Sequence, residues 1–168
     1  RTGKWFGYQH EDILPDVVTS AKALGNGVPI GACLARGIAA TILSPGTHGS
    51  TFGGNPLACS AALAVLDVVN EKNLLERSRL LGNFFATAFQ RKLASRNEVI
   101  EVRGKGLMVG IELDRPCGEL VKICSSRGVL INVAAQNVVR LLPPLIISDD
   151  QATEIVENVS ASIFDFLD

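Results

Sequence analysis

Leu81, Phe85, Phe89 and Leu93 fall four residues apart, the spacing that lines large apolar side chains along one stripe of an α-helix. The stripe is followed by segments in which apolar and polar positions alternate, as on a half-buried strand. A chain that switches between these two periods must bury a helix face against a sheet face, so everything after residue 70 is confined to a layered α/β unit. The helix is expected over residues 73–96, with Arg77, Arg91 and Lys92 off the apolar stripe. Two strand segments follow over 99–102 and 107–113, bent around Gly104 and Gly106, and a short helix over 119–126 is closed by Gly128. Further strands are expected over 129–132 and 138–142. The last helix should start near Asp149, where Ser148 and Gln151 have the capping-box spacing and Val156, Val159, Ile163 and Leu167 line one side.

The first 55 residues have a different texture. They are glycine-rich, with brief apolar runs at Val17-Val18, residues 30–35 and residues 38–43 separated by turn residues, which predicts strands and loops. A helix should begin at Pro56, because Asn55 is a good N-cap and proline lacks only an N–H that the first helical position leaves unused. Its apolar residues run nearly all round, which predicts a buried helix. Residues 1–60 therefore read as the tail of one domain, 61–70 as the start of a connection and 71–168 as a small C-terminal α/β domain. The opening Arg1-Thr2-Gly3-Lys4 has neither an initiator Met nor a signal segment, and reads as cut from within a longer protein.

Charge narrows the partners. With 16 Lys+Arg against 17 Asp+Glu, the formal net charge of −1 creates no field that would hold nucleic acid or an anionic membrane. A small metabolite is the expected ligand. The apolar fraction of 47% and mean hydropathy of +0.27 predict surface that is buried against another domain or subunit. No apolar run reaches the roughly 20 residues that cross a bilayer. Cysteines at 33, 59, 117 and 124 show no CxxC pairing and no neighbouring histidines, so neither a disulfide framework nor a metal site is expected, and reduced thiols suit a cytoplasmic protein.

Chemistry concentrates in four places. Lys22 follows a short apolar strand and precedes Gly25-Asn26-Gly27; a lysine there is either a surface residue beside a turn or, in an apolar pocket, an amine held neutral and able to attack an aldehyde. Ser50 and Thr51 lie before Gly53-Gly54 and either form an ordinary turn ahead of the Pro56 helix or present hydroxyls to an anion that the glycines let approach. Arg140 sits amid Val138, Val139, Leu141 and Leu142. It needs an anionic partner, such as a carboxylate gripped by two hydrogen bonds, if it points inward, and none if it is a strand-edge residue in water. Arg103 is expected to be structural, pairing with Glu101, Glu112 or a neighbouring domain.

The segments Arg1-Thr2-Gly3-Lys4-Trp5-Phe6, Pro15-Asp16-Val17-Val18-Thr19, Lys22-Ala23-Leu24-Gly25-Asn26-Gly27 and Pro29-Ile30-Gly31-Ala32 resemble the cofactor-lysine region of class III aminotransferases, which use pyridoxal 5'-phosphate (PLP). His48-Gly49-Ser50-Thr51-Phe52-Gly53-Gly54-Asn55-Pro56-Leu57-Ala58-Cys59, Arg103-Gly104-Lys105-Gly106-Leu107-Met108 and Arg140-Leu141-Leu142-Pro143-Pro144-Leu145 resemble three further signatures of that family, in the same order. The most similar subgroup is the acetylornithine/ornithine aminotransferases. The resemblance implies the PLP-dependent transferase fold type I, with residues 1–60 completing the large PLP-binding domain and the rest forming the small one. It implies that Lys22 is the Schiff-base lysine and proton carrier, that Thr51 donates to the PLP phosphate of a neighbouring subunit in a homodimer, that Ser50 contacts the amino-acid substrate and that Arg140 binds substrate carboxylate. His10 and His48 are then loop residues.

The implied reaction is transfer of the δ-amino group of N-acetylornithine to 2-oxoglutarate, a step of arginine biosynthesis. Ornithine, succinylornithine, 4-aminobutyrate and succinyl-diaminopimelate are the alternative donors. The family's pyridine-nitrogen aspartate, glycine-rich phosphate loop and ring-stacking aromatic residue match positions before Arg1. This stretch alone is therefore expected to be inactive, or to serve as a packing and dimerisation unit, until joined to the N-terminal part of the same protein.

Overall fold

The computed structural model describes all of residues 1–168 and divides into two compact units, Phe6–Asn73 and a second made of Arg1–Trp5 with Leu74–Asp168. In the first unit, strands β1 (Val17–Ser20) and β2 (Ala32–Ala35) pair antiparallel, with Val18 opposite Leu34. The eleven residues between them include a 3-10 turn over Lys22–Leu24. A second 3-10 turn, Gly37–Thr41, stands where the apolar run over 38–43 predicts a strand. Neither Ile38 nor Ile42 is covered, so that run finds no sheet face in this unit to pack on.

Helix α1 (Pro56–Glu71) starts where Asn55 and Pro56 require it: the Asn55 side chain accepts the Ala58 N–H at 3.0 Å, satisfying one of the donors a helix start leaves open. The expectation that α1 is buried fails within this unit. Only Ala58 and Ala62 are buried, while Leu57, Leu63 and Val68 lie exposed. The helix meets the 3-10 turn at Lys22–Leu24.

The second unit is a four-stranded antiparallel sheet in the order β3-β4-β6-β5, built from β3 (Val99–Lys105), β4 (Met108–Leu113), β5 (Asn132–Ala134) and β6 (Val138–Leu141). Helices α2 (Leu74–Leu93) and α4 (Asp149–Leu167) pack together, and α3 (Leu120–Ser126) packs on α4. Every member of the Leu81, Phe85, Phe89, Leu93 stripe is buried, against Val109, Ile111, Leu113, Val139 and Leu141 from the inner face of the sheet and Val156, Val159 and Ile163 from α4. The Ser148 hydroxyl accepts the Gln151 N–H at 3.1 Å and the Gln151 side chain accepts the Ser148 N–H at 3.0 Å, completing the capping box. The strand expected over 129–132 lies later, at Asn132–Ala134. It is ended by Ala135 and Gln136, whose φ values of 47° and 70° turn the chain back into β6.

Gly82 in the middle of α2 is a position that apolar spacing does not explain. A Cβ there would lie 2.5 Å from the Gly106 carbonyl oxygen and 2.6 Å from its Cα, and Gly106 itself has φ +54° in the bend between β3 and β4. Two glycines thus let the helix backbone touch the bend. The bend in turn receives the N-terminal residues, with the Leu107 N–H donating to the Arg1 carbonyl at 2.8 Å, which is why Arg1–Trp5 belongs with this unit although it opens the chain. Gly82→Ala should therefore destabilise the fold by about 1–3 kcal/mol, the range for overpacking, against the gain of about 1 kcal/mol that alanine brings to an unobstructed helix. Urea midpoints of the two forms give the sign, and a variant at least as stable as the parent would mean that the backbones can part at no cost.

Candidate functional site

Lys22 opens the 3-10 turn after β1 with φ 54°, and Asn26 and Gly27 follow at φ 46° and 111°. Left-handed backbone disfavours a lysine, and such residues persist only where their surroundings over-determine them. Here the loop does so. Its N–H groups are taken up in sequence, Leu24 to Ala21, Gly25 to Lys22 and Asn26 to Ala23 at 3.1–3.2 Å, then Val28 to Gly25 at 3.0 Å. Gly25 is buried so tightly that a Cβ would fall 2.1 Å from the Val28 carbonyl. Lys22 therefore projects from a stiff loop held on α1. Its side chain is exposed: the residues of this chain supply the rigid base and none of the walls that would desolvate the amine.

Ser50 and Thr51 lie in the same unit, in the loop that leads into α1, and both are exposed. The Ser50 hydroxyl accepts the Gly53 N–H at 2.9 Å. A Cβ at Gly53 would stand 2.7 Å from that hydroxyl, so the turn requires glycine. Ser50 is thereby part of the turn while keeping its own proton to donate, and Thr51 presents a second hydroxyl beside it. Gly54, at φ +71°, has open space around it. An amine on one fixed loop and, on a separate loop of the same unit, two adjacent hydroxyls beside a glycine-lined approach are groups of the kind that a phosphorylated aldehyde needs. His10 and His48 lie outside these features, His10 in a short 3-10 turn and His48 in an exposed loop.

Arg140 belongs to the other unit. It is on β6, an inner strand of the sheet, where its neighbours Val139 and Leu141 face the core and Arg140 faces away from it. It is thus exposed to water rather than buried among the valines and leucines, but on an inner strand rather than an edge, as the alternation of the strand dictates. Its guanidinium has no carboxylate partner in the chain. It lines an open cleft of about 520 Å³ together with Gly128, Leu130, Asn132, Leu142 and Glu154. Arg103 behaves as expected: it donates to Glu101 at 2.7 Å and to Glu112 at 2.5 Å, and these hydrogen bonds, the one to Glu112 first, raise its pKa. Sequence reasoning missed Asn132, which sits directly opposite Arg140 in the β5–β6 register. Its signal would have been the strand boundary, which the apolar run over 129–131 obscures.

The class-III aminotransferase family model matches residues 1–163. An acetylornithine aminotransferase from Nitrosomonas europaea is 51% identical over all 168 residues, which amount to 43% of that relative's length. Among solved structures, an ornithine aminotransferase from Toxoplasma gondii described as having partial occupancy of PLP at its active site superposes with a TM-score of 0.92 at 34% identity, covering 98% of this chain and 40% of its own. An acetylornithine aminotransferase from Elizabethkingia anophelis superposes with a TM-score of 0.89 at 38% identity, covering 98% of this chain and 43% of its own. The chain thus spans about two-fifths of the length of the proteins it matches.

Proposed function

The chain belongs to the class-III aminotransferases, and from that premise we propose that the intact protein transfers the δ-amino group of N-acetylornithine to 2-oxoglutarate, giving N-acetylglutamate 5-semialdehyde and glutamate. The observation that carries the choice of donor is the 51% identity to an acetylornithine aminotransferase along the whole of the chain. PLP, when bound, supplies an aldehyde that joins to amines and a ring that takes up electrons from the adjacent carbon. The residues of this chain supply the rest. The Lys22 Nζ attaches the cofactor and, once freed by the substrate amine, carries a proton between substrate and cofactor carbons. The Thr51 hydroxyl donates to the cofactor phosphate held by the second subunit of a homodimer, Ser50 contacts the substrate, and Arg140 binds its carboxylate. Residues 1–60 complete the cofactor domain and 71–168 form the small domain, in a cytoplasmic enzyme.

Initial rates of the intact, PLP-loaded protein with 2-oxoglutarate and a panel of donors test this reading. N-Acetylornithine should have the highest kcat/KM. A preference of tenfold or more for ornithine, succinylornithine, 4-aminobutyrate or succinyl-diaminopimelate would replace the donor and leave the chemistry.

Thr51→Ala should weaken PLP binding by about 1.5–3 kcal/mol, the range for a hydrogen bond to a charged group. Because the hydroxyl is proposed to act across the dimer, cofactor loss and subunit dissociation should be linked. Equilibrium dialysis of PLP at several protein concentrations checks both. Unchanged affinity would return Thr51 to the turn that precedes α1.

A further inference from the structure

Arg103, Gly110, Arg140 and Asn132 form one cross-strand row on the outer face of the four-stranded sheet, and Glu101 and Glu112 on β3 and β4 form the next row with Val138 and Ala134. This register sets Glu112 diagonal to Arg140 across β4 and β6. Diagonal neighbours lie about 7–8 Å apart, within reach of long side chains, and the side chain that leans over Gly110 between the two is the short one of Val138, whose Cγ1 lies 3.3 Å from where a Gly110 Cβ would stand. A Glu112 carboxylate with no other partner would therefore have Arg140 within reach. It has another partner: Glu112 Oε2 accepts from Arg103 Nη1 at 2.5 Å, and the same nitrogen donates to Glu101 Oε2 at 2.7 Å. The Arg103 stem approaches from the far side of Gly110, with its Cγ 3.8 Å from where a Gly110 Cβ would stand. Glu112 is thereby drawn toward β3, and Arg140, left without a carboxylate partner, is among the residues that line the cleft.

We propose that Arg103 is a positioning residue that sequesters Glu112 and so keeps the Arg140 guanidinium available to substrate carboxylate. The inference rests on the reading of Arg140 as carboxylate anchor. Its physical content is a competition. Glu112 carries the same chemical group as the substrate and is tethered next to the anchor, so its effective concentration there is fixed by the strand rather than by solution. The apparent dissociation constant of the substrate is the intrinsic one divided by the fraction of Arg140 that Glu112 leaves free. Exposed arginine–carboxylate pairs are weak, which puts the increase at about two- to fivefold.

The test uses the intact, PLP-loaded protein. Arg103→Met keeps the apolar stem over Gly110 and removes the cation. It should raise KM for 2-oxoglutarate about two- to fivefold with kcat little changed, and Arg103→Met combined with Glu112→Gln should return KM to the parent value, while Glu112→Gln alone leaves it there. A merely structural arginine would not be rescued by neutralising Glu112. An unchanged KM in Arg103→Met, or a raised KM that persists in the double variant, overturns the proposal. Arg103→Gln, with and without Glu112→Gln, decides by the same two outcomes should the methionine variant not fold. Arg140→Ala in the same assay separates the two levels: if it leaves KM unchanged, the anchor reading itself fails, and if it raises KM while the Arg103 pair does not, only the role of Arg103 fails.

Discussion

Lys22→Ala in the intact protein is expected to bind PLP only noncovalently and to lose transamination by at least about three orders of magnitude, since one substitution removes both the attached amine and the proton carrier. Borohydride reduction of the unsubstituted holoenzyme, digestion and mass analysis should place the pyridoxyl group on Lys22. Lys4 and Lys72 are the nearest lysines in the chain, and a tag on either would sink the assignment. The backbone adds a second, independent readout. Lys22 holds φ 54°, which costs a residue with a Cβ about 1 kcal/mol that glycine does not pay. Lys22→Gly should therefore yield an apoprotein at least as stable as the parent while abolishing activity, the signature of strain kept for function. A clear loss of apoprotein stability would instead mean that the lysine stem is needed to hold the loop.

Much of the second unit was legible because its elements carry redundant signals. The α2 stripe has four large apolar residues at helical spacing, and the start of α4 has both members of a capping box, so local and tertiary preferences agree. β5 was displaced because residues 129–131 are apolar without alternating, and an apolar run alone does not mark where pairing begins. Gly82 was opaque for a different reason: its role is a contact with Gly106, 24 residues on, and no local pattern encodes a close approach between backbones. In the first unit, the loop at Lys22 was located by its glycines and asparagine, and the left-handed φ values at Asn26 and Gly27 are what those residue types permit. Sequence left open whether Lys22 is exposed or pocketed, because apolar residues around it in sequence need not surround it in space, and in this chain they do not. The same distinction applies to Arg140, whose apolar neighbours in sequence point to the opposite face of the sheet.

That alternation places Arg140 on the outer face of the sheet. Arg140 is presented to an open cleft on an inner strand, fixed on one side by Gly110 and on the other by Asn132 in the sheet register, so its position is set by the ladder rather than by a mobile loop. A guanidinium fixed in this way can grip a carboxylate with two parallel hydrogen bonds, whereas a lysine at the same position keeps the charge and loses the fork. Arg140→Ala should raise KM for 2-oxoglutarate and lower kcat/KM by about 2–4 kcal/mol, the scale of an unpaired charged hydrogen-bonding group, without disturbing the visible absorbance of the bound cofactor. Arg140→Lys should fall much nearer to the alanine variant than to the parent. Loss is expected in both half-reactions, because glutamate, 2-oxoglutarate and N-acetylornithine all bring a carboxylate. Steady-state kinetics with absorbance recorded in the same samples distinguish this from a structural role: near-normal KM in Arg140→Lys, or loss of cofactor from Arg140→Ala with unchanged kinetics per bound PLP, would make Arg140 a residue of the small domain's framework. Stability should be nearly indifferent to either substitution, since the side chain is exposed and packs on neither face of the core.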